Sequence, residues 1–158
     1  MAAGWRAESG TGSTAAMRMP ACLAVAALVA AGGADAGEPR RDSYVQSERD
    51  IAVEQPGPHE GTGTTTAYPF FDDAEGFETI FRKRALHPGA SIGEHRNDKD
   101  EIYYVLSGRG ELMLDGANRD VGPGDAVLTR DGSTHALYQR GDEDLVIFIV
   151  YRKRAAAP

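Results

Sequence analysis

The sequence predicts an all-β domain, a sandwich or barrel of short strands, on three observations. Its apolar runs are short, 3 to 10 residues, which suits strands and not helices. Glycine and proline are frequent, 19 and 8 of 158 residues, and most stand between those runs. The turns recur at regular spacing, as they do where strands close into a sandwich or barrel. The length suits one domain, with 41% hydrophobic and 8% aromatic residues to fill one core.

Residues 1–36 read as a signal peptide. Arg18 precedes an apolar, alanine-rich run over 21–33, and Ala34-Asp35-Ala36 offers small residues where a signal peptidase needs them. Spanning a bilayer takes about 20 apolar residues, so the run is too short for a retained anchor, and no membrane association is expected after cleavage. The run also lacks the polar face of a soluble core helix. The expected location is secreted or periplasmic. Cys22, the single cysteine, lies inside this leader, so the mature chain offers neither disulfides nor thiolate ligands. Any metal site must use nitrogen and oxygen donors.

Residues 37–76 form a polar lead-in broken by Pro39, Pro56, Pro58 and several glycines. Its apolar anchor, 68–71, is expected to pack on the barrel or add a strand at its edge. The strands proper follow at 77–86, 91–96, 101–106, 111–114, 126–128, 134–139 and 145–151, and 152–158 is a tail. Between them stand turns such as Asp115-Gly116 and Asp131-Gly132, where glycine takes positive φ and aspartate bonds back to its own backbone. A homodimer is expected, because Tyr68, Phe70 and Phe71 have no obvious barrel position and aromatic side chains favour interfaces. Open sheet edges invite pairing as well. The net charge of −7, with basic residues clustered only at 82–84 and 152–154, argues against a nucleic-acid partner.

The chemistry gathers in one constellation. His95 and Asn97 are two apart in a strand-like stretch and share a face. Glu101 opens the next strand, and His135 lies in a separate one. If these strands line one barrel, two imidazoles, one carboxylate and one amide converge. Two histidines and a carboxylate on one side of a metal suit Fe(II), and also accept Mn, Ni, Co or Zn. Tyr103 follows Glu101 by two, so its hydroxyl points to the same interior as a candidate catalytic or substrate-binding group; a core aromatic is the plainer reading. His87 and His59 read as ordinary loop residues, and Glu94 should face away from His95. Arg82 and Arg84 share a strand face where an anionic substrate can meet them, although a solvated edge strand is the default.

The stretch Gly89-Ala-Ser-Ile-Gly-Glu-His95-Arg-Asn97-Asp-Lys-Asp-Glu101-Ile-Tyr-Tyr-Val-Leu-Ser-Gly108 resembles the first motif of the cupins, G-x5-H-x-H-x3,4-E-x6-G, with Asn97 where the second histidine belongs. The stretch Gly124-Asp-Ala-Val-Leu-Thr-Arg130-Asp-Gly132-Ser-Thr-His135-Ala-Leu-Tyr-Gln139 resembles the second, G-x5-P-x-G-x2-H-x3-N, with Arg130 for the proline and Gln139 for the asparagine. The resemblance covers 77–151. It implies a double-stranded β-helix, the jelly-roll barrel, and makes His95, Glu101 and His135 ligands of a divalent metal. An asparagine oxygen at Asn97 is a weaker, neutral donor beside them. Cupins include isomerases, oxygenases, decarboxylases, lyases and plain binding domains, so the motifs define a metal pocket and not a reaction. Two readings follow: an exported metal-dependent cupin acting on or binding a small polar molecule, or a non-catalytic sugar or organic-acid binder with a vestigial metal site.

Overall fold

In the computed structural model, residues 41–153 are described. The expected leader 1–36, with Cys22, lies outside the described residues, as do 37–40 and the tail residues 154–158. Ten strands follow one short helix, α1, at Glu48–Ile51. They are β1 Val53–Pro56, β2 Thr64–Phe70, β3 Thr79–Leu86, β4 Ser91–Arg96, β5 Glu101–Ser107, β6 Arg109–Leu114, β7 Ala117–Val121, β8 Ala126–Thr129, β9 Thr134–Arg140 and β10 Leu145–Arg152. All pairings are antiparallel, in a six-stranded sheet ordered β1-β2-β3-β10-β5-β8 and a four-stranded sheet ordered β4-β9-β6-β7. This is the jelly-roll barrel.

The long strands form where β-branched and aromatic residues alternate with the pleat. In β5, Glu101, Tyr103 and Val105 point inward while Ile102, Tyr104 and Leu106 point out, and in β10 Leu145, Ile147 and Ile149 do the same against Val146, Phe148 and Val150. Leu86, Ile92, Val105, Leu112, Leu137, Leu145 and Ile147 close the core between the sheets. Burying each stabilises the fold by about 1.5–3 kcal/mol.

The lead-in does more than pack on the barrel: it contributes two strands. β2 pairs with β3 along its length, from Thr65 opposite Leu86 to Phe70 opposite Phe81, and β1 caps that edge. β1 is exposed throughout and ends in Pro56, which suits an edge position where no ladder donor is needed. β7 is a further strand that alternation does not reveal, because Ala-Asn-Arg-Asp-Val is exposed except for Val121. Its signal lies in the turn. Asp115 and Gly116 both have positive φ, 49° and 83°, and form the two-residue connection that returns β6 into β7.

Candidate metal centre

His95 reaches the interior through a fault in β4. Ile92 lies opposite Leu137 and His95 opposite His135, so three steps along β4 match two along β9. In a regular strand, residues three apart face opposite sides. The β-bulge restores both side chains to the inner face. Gly93 sits in the bulge, and its freed N–H donates to the Pro58 carbonyl at 3.0 Å. A side chain there would not fit, since a Cβ on Gly93 would stand 2.0 Å from the His59 carbonyl oxygen. The same loop is tied to β4 by Ser91 N–H donating to Thr62 O, at 3.0 Å, and Thr62 N–H donating to Ser91 Oγ, at 2.8 Å. The lead-in therefore holds the bulge that aims a metal-ligand candidate.

His95 Nδ1–H donates to Gly93 O at 2.9 Å, which fixes the ring and leaves Nε2 free for the interior. Glu101 begins β5 and is buried, and one of its oxygens, Oε2, has no hydrogen-bond partner. His135, on β9, is 0% exposed, with Nε2 3.6 Å from Glu101 Oε2 and 3.0 Å from the Tyr103 hydroxyl. One ligand atom from each of His95, Glu101 and His135 lies within 4.8 Å of the others. Burial raises the Glu101 pKa, against a pull downward from the Tyr103 hydroxyl and the Asn97 amide. Burial, then the neighbouring His95 and His59 rings, lowers the His135 pKa to about 4. Burial raises the Tyr103 hydroxyl well above its ordinary value, and the Glu101 carboxylate adds to the rise.

The expected group is thus assembled: His95, Glu101 and His135 converge and Tyr103 joins them through its hydroxyl. Asn97 lies on the His95 face, buried, beside the Glu101 carboxylate, and its Nδ2 makes no full hydrogen bond. Glu94 is exposed, as expected. His87 is a structural residue, bonded to Thr66 Oγ1 and Asp144 Oδ1 at 3.0 Å each.

Two expectations are corrected. His59 is not an ordinary loop residue: its ring stacks on His95, centroids 3.5 Å apart and 5° from parallel. His59 and the next residue, Glu60, both have positive φ, 54° and 61°, a conformation costly without glycine. Partial desolvation, then the His95 ring, lowers the His59 pKa. Nothing in the sequence near His59 signals this, because the contact depends on how the loop docks on β4. Arg84 is not on a solvated edge: β2 covers that side of β3, and Arg84 is buried in the barrel. Arg82, beside it on the inner face, reaches out to Asp72 at 3.3 Å.

The model of the cupin domain family matches residues 83–151. That stretch is similar to the cupin domain family. A Thermotoga maritima oxalate-binding protein is 33% identical over 72 residues, 45% of this chain and 60% of its own length. A 5-nitrosalicylic acid 1,2-dioxygenase of a Bradyrhizobium species is 29% identical over 66 residues, 42% of this chain and 32% of its own. The chain therefore spans less than two thirds of either curated relative. Among solved structures, a Thermotoga maritima protein bearing the name predicted oxalate decarboxylase superposes with a TM-score of 0.64 at 25% identity, over 70% of this chain and 100% of its own.

These residues fit a divalent cation. Glu101 Oε2 is an orphaned buried acceptor, His95 Nε2 is left free by the bond at Nδ1, and His135 is a neutral imidazole at ordinary pH. Buried carboxylate oxygens without a partner are rare unless an ion belongs there. Two nitrogens and one oxygen form a donor set for Fe, Mn, Ni or Zn.

Proposed function

We propose that this cupin holds a divalent metal on His95, Glu101 and His135 and acts on, or binds, a small polar molecule beside it. The convergence of those three side chains around the orphaned Glu101 oxygen carries the reading. A metal bound there supplies Lewis acidity to a coordinated oxygen. The chain's own residues do the rest. Gly93 O orients His95, the Asn97 amide favours the ionised Glu101, and the Tyr103 hydroxyl stands ready to donate a hydrogen bond to a ligand atom next to His135. Asn97 favours a second reading, a non-catalytic binder of a sugar or organic acid, because an amide contributes little metal affinity.

Elemental analysis of the purified protein, followed by calorimetric titration of dialysed protein with Zn, Mn, Ni and Fe(II), separates the two. Tight binding lost in His135→Ala supports the metal reading. Absence of binding to all four, unrestored by Asn97→His, sinks it in favour of the binding module.

The reading includes export with cleavage after Ala36, supported by the apolar run and the Ala-Asp-Ala site. An intact mass retaining Met1 or Met17 would refute this. It also includes a homodimer, supported by the exposed Ile102, Tyr104, Leu106 and Leu128 on the outer face of β5 and β8 and not by the lead-in aromatics, since Phe70 is buried against Phe81 and Phe71 packs on Tyr44 and Phe77. Light scattering should give twice the chain mass at micromolar concentration.

A further inference from the structure

His59 and the ligand candidate His95 are joined through backbone before their rings meet. Pro58 to Gly61 form a tight turn, closed by Gly61 N–H donating to the Pro58 carbonyl at 3.0 Å, with both central residues, His59 and Glu60, at positive φ. Turns of this kind favour asparagine and glycine at those places, so His59 and Glu60 are costly choices. The same Pro58 carbonyl accepts from Gly93 N–H at 3.0 Å, and the His59 carbonyl lies so close to Gly93 that a Cβ there would collide with it. Turn and bulge are therefore one backbone unit. The bulge turns His95 inward, and the turn lays the His59 ring on it.

The His59 side chain has one partner. Among the described residues no hydrogen bond reaches its nitrogens, and its ring contact is the stack on His95, 3.5 Å between centroids and 5° from parallel. A single aromatic pair returns less than two residues at positive φ cost, so the stack is not kept for stability. The three imidazoles step inward: His59 is exposed, His95 half-buried and His135 fully buried, with the His95 and His135 centroids 4.3 Å apart. His95 thus touches two rings while its Nδ1–H donates to Gly93 O at 2.9 Å. Turning the His95 ring would break the stack and that hydrogen bond together.

We propose that His59 is a positioning residue for His95: its ring, presented by the 57–63 loop, fixes the plane of the His95 imidazole so that Nε2 stays aimed at the site shared with Glu101 and His135. A ligand role does not suit His59. Imidazole lone pairs lie in the ring plane, and one ion cannot lie in the planes of two stacked, parallel rings. His59 stands outside residues 83–151, the stretch similar to the cupin domain family, so the lead-in supplies the centre with a part that this match does not include. What His95 binds rests on the metal reading; what holds its ring does not.

The test uses the full chain as wild type, His59→Gly, His59→Asn and His59→Phe. Glycine and asparagine suit the turn and remove the ring, whereas phenylalanine keeps a planar ring and has no donor atom. In NMR of the metal-free protein, the His95 Nδ1–H should exchange with water slowly in wild type and His59→Phe, and at least about tenfold faster in His59→Gly and His59→Asn. Calorimetric titration with Zn and Mn should give affinities about tenfold weaker in His59→Gly and His59→Asn, the loss usual for a residue that orients a ligand, and within about threefold of wild type in His59→Phe.

Unchanged Nδ1–H exchange in His59→Gly overturns the proposal, as does unchanged metal affinity in a protein that binds metal. A loss that phenylalanine does not restore would make the His59 nitrogens the active part and overturn it too. So would a fall of more than about 5 °C in the metal-free Tm of His59→Gly, which would make the ring a part of the fold. If wild type takes up no metal, the metal reading fails, and the exchange rates alone decide whether His59 holds His95.

Discussion

The two ends of the barrel interior are built by the same strands and differ in what those strands point inward. β9 contributes His135 at one end and Leu137 then Gln139 toward the other; β5 contributes Glu101 and Tyr103, then Val105; β3 contributes Arg82 level with Tyr103, then Arg84 level with Val105, then Leu86. Of the buried side-chain nitrogens and oxygens left without a hydrogen bond among the described residues, Arg82 Nε, Asn97 Nδ2, Glu101 Oε2 and His135 Nδ1 belong to the first end, and Arg84 Nε lies one layer further in, level with Val105. The second end buries a polar group too, but Gln139 is fully partnered, accepting from Gly89 N–H and donating to Gly141 O and Glu143 O. Each orphan costs about 1–3 kcal/mol in the ligand-free fold. The apolar end offsets that cost, so one end supplies stability and the other retains unsatisfied chemistry.

That division is most sharply broken or upheld at β9. His135→Ala should reduce metal affinity by at least about 100-fold in calorimetry, because removing a ligand leaves two. Two residues along, Leu137→Ala should cost about 2–5 kcal/mol in urea unfolding and leave the metal affinity of the folded protein unchanged. If the leucine substitution weakens metal binding comparably, the two ends are not separable.

Acid should act on the polar end alone. His135 is held near 4 in the metal-free fold against 6.5 for an ordinary imidazole. Between those values the unfolded chain binds a proton that the folded chain does not, so stability falls as pH drops from 6.5 toward 4. The full effect is on the order of 3 kcal/mol. The Glu101 pKa is raised, and its contribution has the opposite sense, being lost as pH rises above the ordinary carboxyl value. Unfolding of metal-free wild type and His135→Asn across this range isolates the histidine share, and equal acid slopes in the two would refute it.

Smaller effects sharpen the comparison within the polar end. Asn97→His should tighten metal binding about tenfold by adding an imidazole on the His95 face, whereas Asn97→Ala should change it little. His59→Gly should stabilise the metal-free protein by up to about 1 kcal/mol, since glycine adopts the positive φ at this position without strain. The same variant uncovers one face of His95, so the ring-proton resonances of His95 should lose the ring-current shift of the stacked neighbour in NMR spectra. Unchanged His95 resonances would show that the two rings do not stack in solution.

Much of the architecture was legible because strands and turns are local. Alternation marked β5 and β10, and Asp115-Gly116 marked its hairpin. β1 and β7 escaped because edge strands are polar on both faces and carry no alternation. The ligand candidates His95, Glu101 and His135 were legible through spacing and the cupin resemblance. Even there, regular alternation from Ile92 would have turned His95 outward, and only the bulge at Gly93 brings it in.

The sequence by itself determined that the domain is all-β, which residues share a strand face, and that two imidazoles and a carboxylate are available at cupin spacing. The tertiary structure decided that β3 is covered by β2 and carries Arg84 inside, and that the 57–63 loop docks on β4 and lays His59 on His95. The physical reason is that a two-residue period tells which side chains lie together but not which strand will stand beside them. Neighbours far apart in the chain set burial and charge pairing, and they exist only once the sheets have closed.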